Sequence, residues 1–271
     1  MTDETPWQVE LVGRTAVIRF FSPPMNYLTA ADLFGFGKAL DQVRRLKPAA
    51  IVVSSAVENQ FITHFSVEDI LGAQDRIRDA GPAGNHRAQQ LLERLADLPQ
   101  PVIAALGGDT MGFGFELALA CDFRISQRGD FRIGLHEVRL GILPGAGGTQ
   151  RLSRLIGTAR ALDLIMRARV LTPDEALHYG LVHEVADNAE QAALGLAEEF
   201  ASLPPTAVAM AKSVIYAGRD HDMQVAQRIE RDASYRTKLA PEATIAMQEF
   251  VDLPLTERRA WIDRRTHPAR F

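Results

Sequence analysis

From Gly112 to Asp122 the chain reads Gly-Phe-Gly-Phe-Glu-Leu-Ala-Leu-Ala-Cys-Asp, a tight turn running into an apolar helix opened by one carboxylate, Glu116. A second carboxylate, Glu137, follows 21 positions later on a strand-to-loop segment, Gly134-Leu135-His136-Glu137. Then comes Pro144-Gly145-Ala146-Gly147-Gly148-Thr149-Gln150-Arg151-Leu152. Glycines in such turns let the backbone approach a ligand and aim N–H groups at it. Two carboxylates beside them supply what general acid–base chemistry needs.

The rest of the chain sets these segments in an alternating α/β pattern. Gln8–Val12 and Thr15–Phe20 flank Gly13-Arg14 and read as a β-hairpin. Thr29 is placed to cap a helix through about Lys47, stopped by Pro48. Ala50–Ser54 and Val102–Leu106 are short apolar runs of the buried-strand type. Strand, helix, strand, helix predicts a parallel sheet with crossovers. Thr149–Ile156 and Thr158–Arg169 read as helices, the second capped by Thr158. Thr172-Pro173 is a cap followed by a first turn, and Gly180 a stop. From Asn188 onward the periodicity is helical, broken at Pro204-Pro205, Pro241 and Pro254. Ala80–Gly84 reads as a short loop, too short to link domains.

Length, at 271 residues, leaves one large or two small domains open. Hydrophobic residues at 46% and charged residues at 24% are those of a globular protein. A net charge of −4 argues against a general nucleic-acid binder, although a phosphorylated ligand needs only a few local cations. The single cysteine, Cys121, forms no internal disulfide and suits a reducing compartment. The acidic start, Met1-Thr-Asp-Glu-Thr-Pro, differs from a signal peptide, and no apolar run approaches ~20 residues, so a cytoplasmic location away from membranes is expected.

Taken together, the motifs resemble those of the crotonase family, the enoyl-CoA hydratases and isomerases. The likeness runs from about residue 7 to the C-terminus and is sharpest over Pro144–Leu152. It implies the ClpP/crotonase-like α/β fold of repeated ββα turns with a helical C-terminal portion. Residues 1–200 would form the core and residues 201–271 a helical trimerisation region, the chain assembling as a homotrimer or homohexamer. It implies an acyl-CoA thioester as substrate, with coenzyme A present only as part of it, no separate cofactor and no metal.

By the same resemblance Glu116 positions and activates a water, and Glu137 delivers a proton to C2 of a 2-enoyl-CoA. Two backbone N–H groups form the oxyanion hole. The family's loop Phe-x-Ala-Gly-Ala-Asp corresponds to Phe61-Ile62-Thr63-His64-Phe65-Ser66, so one donor falls on Phe65 and the other on Phe113. A backbone donor is indifferent to its side chain unless the turn demands φ > 0, which phenylalanine adopts poorly. The two rings either reshape the acyl pocket or pack the loop against the core. His64 likewise has two readings, a polar partner for the substrate or a filler bonded to a loop carbonyl. An adenine slot is implied along Pro24–Tyr27, including Met25 and Tyr27, and along Phe61, Ile62 and Thr63. Gly112, Pro144 and Gly145 complete the substrate-binding set, and the helix after Gly145–Gly148 would turn its first amides toward the acyl end. Met25 stands where relatives often carry a base, leaving Lys212, Arg264 and Arg265 for the phosphates.

Hydration of a 2-enoyl-CoA is the leading expectation. A double-bond isomerase needs only one carboxylate, and an acyl-CoA hydrolase or decarboxylase is kept open by His64. A non-catalytic acyl-CoA binder on the same fold would leave both glutamates without a reason. Asp220-His221-Asp222 reads as a solvated helix connection, not a metal site.

Overall fold

The computed structural model describes residues 5–84 and 86–263. A hairpin of β1 (Trp7–Val12) and β2 (Thr15–Phe20) leads through α1 (Asp32–Leu46) to β3 (Ala50–Ser55) and the short β4 (Asn59–Gln60). Three helices follow, α2 (Val67–Gly72), α3 (Gln74–Gly84) and α4 (Arg87–Ala96). Then come β5 (Val102–Leu106), β6 (Gly108–Met111), α5 (Phe113–Ala120), β7 (Phe123–Gln127) and β8 (Ile133–Gly134). A 3-10 turn, Glu137–Leu140, precedes α6 (Gly148–Ile156), α7 (Thr158–Met166), β9 (Val170–Leu171), α8 (Pro173–His178) and β10 (Glu184–Ala186). The chain ends in α9 (Ala189–Ser202), α10 (Pro205–Gly218), α11 (Met223–Lys238), α12 (Pro241–Asp252) and α13 (Leu255–Ile262).

The strands divide between two sheets, ordered β1-β2-β3-β5-β7-β10 and β4-β6-β8-β9. From β2 onward the larger sheet is parallel. β3, β5 and β7 each contribute to it and are followed at once by a strand of the smaller sheet, β4, β6 and β8. The ββα repeat implied by the family resemblance is this alternation. Its consequence is that β6 ends at Met111, with Gly112 leading into α5, and β8 ends at Gly134, three residues before Glu137, the two ends side by side through the Gly112 N–H to Gly134 carbonyl bond of 3.0 Å.

The apolar strand runs follow from burial on both faces. Ile51 and Val53 face the main core while Ala50 and Val52 join a second cluster, and Val102 and Ala104 alternate in the same way with Ile103 and Ala105. Ala189, Ala193 and Ala197, spaced by four, put a small-residue stripe of α9 onto that outer face.

Several boundaries differ from the sequence expectation. α1 begins at Asp32, with Ala31 as its cap residue. Thr29 stands one turn before it and exchanges bonds with Asp32, whose carboxylate accepts from the Thr29 N–H and hydroxyl at 2.8 and 2.7 Å and whose N–H donates to Thr29 Oγ1 at 3.3 Å. Thr158 is the first helical residue of α7, after Gly157, and that helix stops at Met166. Ala80–Gly84 belongs to α3, which bends at Gly81, instead of a loop. Thr172 does cap α8, with Glu175 closing a reciprocal capping box. Thr172→Ala is expected to cost about 1 kcal/mol in urea denaturation, with activity retained.

Candidate active site

Glu116 lies in the first turn of α5 and is almost wholly buried. The Ala146 and Gly148 amides donate to its Oε1 at 2.8 and 2.7 Å. Bonds of this kind to a charged acceptor are worth roughly 1.5–3 kcal/mol each, and here both meet one oxygen. The loop amides therefore face a catalytic candidate, not the acyl end of a ligand as the sequence suggested. Burial pushes the Glu116 carboxyl above the ordinary carboxylate range, against the opposing pull of Gly148, Ala146 and Arg151.

Glu137 opens the 3-10 turn and is also buried. Burial, with a smaller push from the Glu116 charge, raises its carboxyl to about 7. Its Oε2 has no hydrogen-bond partner among the described residues. The two carboxyls therefore stand in unlike surroundings, one gripped by two loop amides and the other buried with one oxygen unpartnered among the described residues and titrating near neutrality.

Between them sits Gly112, with φ of 51°. A Cβ there would lie 3.5 Å from Glu137 Oε1 and 3.4 Å from the His64 Cβ. This glycine absorbs the positive φ of the turn. Phe113 and Phe65 both keep negative φ, and their amides have no hydrogen-bond acceptor among the described residues. Their rings meet edge-on at 6.2 Å, Phe113 within the main core and Phe65 packed against it. The Phe65 carbonyl lies 2.7 Å from His64 Nδ1, so that nitrogen carries the hydrogen. The His64 ring stacks on Tyr27 at 4.2 Å and meets His136 at 5.9 Å. Burial lowers the His136 pKa, and the neighbouring His64 adds to this.

The segments expected to form the nucleotide slot are brought together. Asn26, fully buried, donates to the Phe61 carbonyl, and Thr63 Oγ1 donates to the Met25 carbonyl at 2.6 Å. Met25 is exposed, whereas Phe61 and Ile62 are core side chains, leaving their backbone for any ligand. Pro144 is buried and Gly145 exposed on the loop entering Ala146. Lys212 is not available for phosphates: it pairs with Asp122 at 2.7 Å and donates to the Gln100 carbonyl. Arg264 and Arg265 lie outside the described residues. Asp220 pairs with Arg154, Asp222 caps α11, and Cys121 is buried.

Sequence reasoning missed Ala146 and Gly148 as donors to Glu116 and Asn26 as the tie between two loops. The glycine run signalled aimed amides, but their target is 30 residues away and set by tertiary packing.

A fold of alternating ββα turns enclosing two carboxylates and two unpaired amides defines an acyl-thioester lyase or isomerase class of site. The family model described as enoyl-CoA hydratase/isomerase matches residues 12–255. The chain is 32% identical over 240 residues to a probable enoyl-CoA hydratase of Bacillus subtilis, covering 88% of this chain and 92% of that one. It is 37% identical over 235 residues to the mitochondrial methylglutaconyl-CoA hydratase of Rattus norvegicus, covering 83% and 73%. The crystal structure of an enoyl-CoA hydratase from Bacillus anthracis superposes with a TM-score of 0.85 at 32% identity, over 92% and 96% of the two chains. The chain belongs to the enoyl-CoA hydratase/isomerase family, with the crotonase fold.

Proposed function

We propose that this protein is an enoyl-CoA hydratase, a lyase that adds water syn across the double bond of a 2-enoyl-CoA to give a 3-hydroxyacyl-CoA. The observation that carries the reading is the unlike pair, Glu116 held at one oxygen by two amides and Glu137 raised to about 7 with a free Oε2. Glu116, as carboxylate, takes a proton from water while the water oxygen bonds to C3. The alkene electrons move onto the thioester oxygen, where the Phe65 and Phe113 amides hold the developing charge, each worth up to ~3 kcal/mol. Glu137 then gives its proton to C2 and the enolate collapses to the thioester. The two carboxyls exchange the surplus proton through the next water. Every group in this scheme belongs to the protein, so no cofactor is called for beyond the substrate's own coenzyme A. Pro24–Tyr27, Phe61–Thr63, His64, Gly112, Pro144 and Gly145 line the substrate path in this reading.

The test is loss of conjugated-enone absorbance on mixing the protein with crotonyl-CoA. Rapid loss with formation of 3-hydroxybutyryl-CoA supports hydration. Conversion of a 3-enoyl-CoA without hydration of crotonyl-CoA would assign the isomerase reading instead.

Residues 201–271 complete the proposal as a trimerisation region of a cytoplasmic enzyme of fatty-acid metabolism. Helices α10–α13 hold no fully buried residue, and Ile215, Leu239, Ile245 and Leu255 are each more than 60% exposed. Apolar surface of that extent marks a protein contact. Light scattering on the eluted protein is expected to give three or six times 29.8 kDa; a monomer would refute this. No helix among the described residues is long and apolar enough to cross a membrane.

A further inference from the structure

The two amides that grip Glu116 belong to a loop that needs its own support. The carbonyl between them, that of Ala146, accepts from Arg151 Nη1 at 2.8 Å. Arg151 stands one turn into α6 and its side chain doubles back over the loop. Gly147, with φ of 102°, leaves room for it: a Cβ there would sit 2.3 Å from Arg151 Nη1. The guanidinium therefore packs over Gly147, held there by its bond to the Ala146 carbonyl.

On the hydratase reading, we propose that Arg151 is a positioning residue, clamping Ala146–Gly148 so that both amides stay on Glu116 Oε1 and the other carboxylate oxygen is presented to water. The charge acts in the same direction as the geometry. Around Glu116 the facing ionisable groups are Glu137 from the 3-10 turn, which opposes ionisation, and Arg151 from α6, which favours it. Around Arg151 stand Glu116 from α5, Glu93 from α4, Arg219 at the end of α10 and Cys121. With half its neighbours cationic or neutral, Arg151 is not consumed by a single strong ion pair. A misplacement of the loop by about 1 Å is enough to cost on the order of 10²-fold in rate.

The test is a double-mutant cycle with a readout independent of turnover. Arg151→Met is expected to lower kcat about 10–100-fold with KM changed less than 3-fold, and to move the acid limb of the kcat profile to higher pH. In the Glu116→Gln background, read in single turnovers at high enzyme concentration, the same change is expected to cost less than 3-fold. Difference infrared titration of the free protein, with Glu116→Gln as reference, is expected to show the Glu116 carboxyl titrating about one pH unit higher without Arg151. Equal losses in both backgrounds, or an unmoved titration, would overturn the proposal. If Arg151→Met does not fold, Arg151→Lys is read through the same cycle: a kcat loss confined to the Glu116 background supports the clamp, and equal loss overturns it. Absence of crotonyl-CoA turnover by the unaltered protein would strike the hydratase reading alone, because the infrared titration needs no substrate.

Discussion

Glu137→Gln is expected to lower kcat for crotonyl-CoA hydration by about 10²–10⁴-fold, the range for removal of a positioned general acid. Affinity for a non-reacting acyl-CoA should change less than 3-fold, since the replacement is isosteric and the slot formed by Met25–Tyr27 and Phe61–Thr63 is untouched. Glu116→Gln is expected to lose as much for a different reason. The Ala146 and Gly148 amides are donors, so they select the carbonyl oxygen of the glutamine and turn its NH₂ toward the water. A donor then stands where an acceptor is needed, and the water keeps its proton. The measurement is turnover of both variants beside titration calorimetry with a saturated acyl-CoA. Turnover within 10-fold of the unaltered protein in either variant would remove that glutamate from the mechanism. Combined, the two replacements should cost little more than one alone, because the pair acts as a unit.

Both glutamates were legible in the sequence because local motifs announce them, a glycine turn into α5 and a strand running into the 3-10 turn. The hairpin and strands β3 and β5 were legible for a similar reason, since a run of β-branched residues bounded by turns admits few other structures. What the sequence withheld was of two kinds. Strands β4, β8 and β9 are two residues long, too short for any periodicity, and exist only because neighbours in the smaller sheet supply their partners. The second kind is the direction of polar groups. Lys212 looked like a solvated cation open to a phosphate, yet Asp122 lies 90 positions away in the chain and folding buries the two together. The Gly145–Gly148 run looked aimed at a ligand, yet it serves Glu116. At Phe113 the sequence could not say whether a phenylalanine suits an oxyanion turn; the strain in fact falls on Gly112, one residue earlier.

A carboxyl held at about 7 also leaves its mark on stability, and the sign is set by linkage. The ordinary value for Glu137 is 4.5 and the folded value about 7, so between these limits the folded state binds more protons than the unfolded one. Stability then falls as pH rises through that window and is level above it. The shift corresponds to roughly 3 kcal/mol of strain from ionising the buried group, present in full near pH 8 and absent near pH 4.5. Glu137→Gln removes the ionisation while keeping the shape. The variant is therefore expected to match the unaltered protein in urea denaturation near pH 4.5–5 and to exceed it by about 2–3 kcal/mol at pH 8. Glu116, raised by burial in its turn, is present in both proteins and cancels in the difference, apart from the repulsion it exerts on Glu137. A difference that does not grow with pH would mean that Glu137 ionises as an ordinary surface carboxylate and is unfit to hold a proton for C2. A difference that grows as stated would mean that catalysis and stability oppose each other at one residue, the acid being kept protonated by the burial that destabilises its charged form.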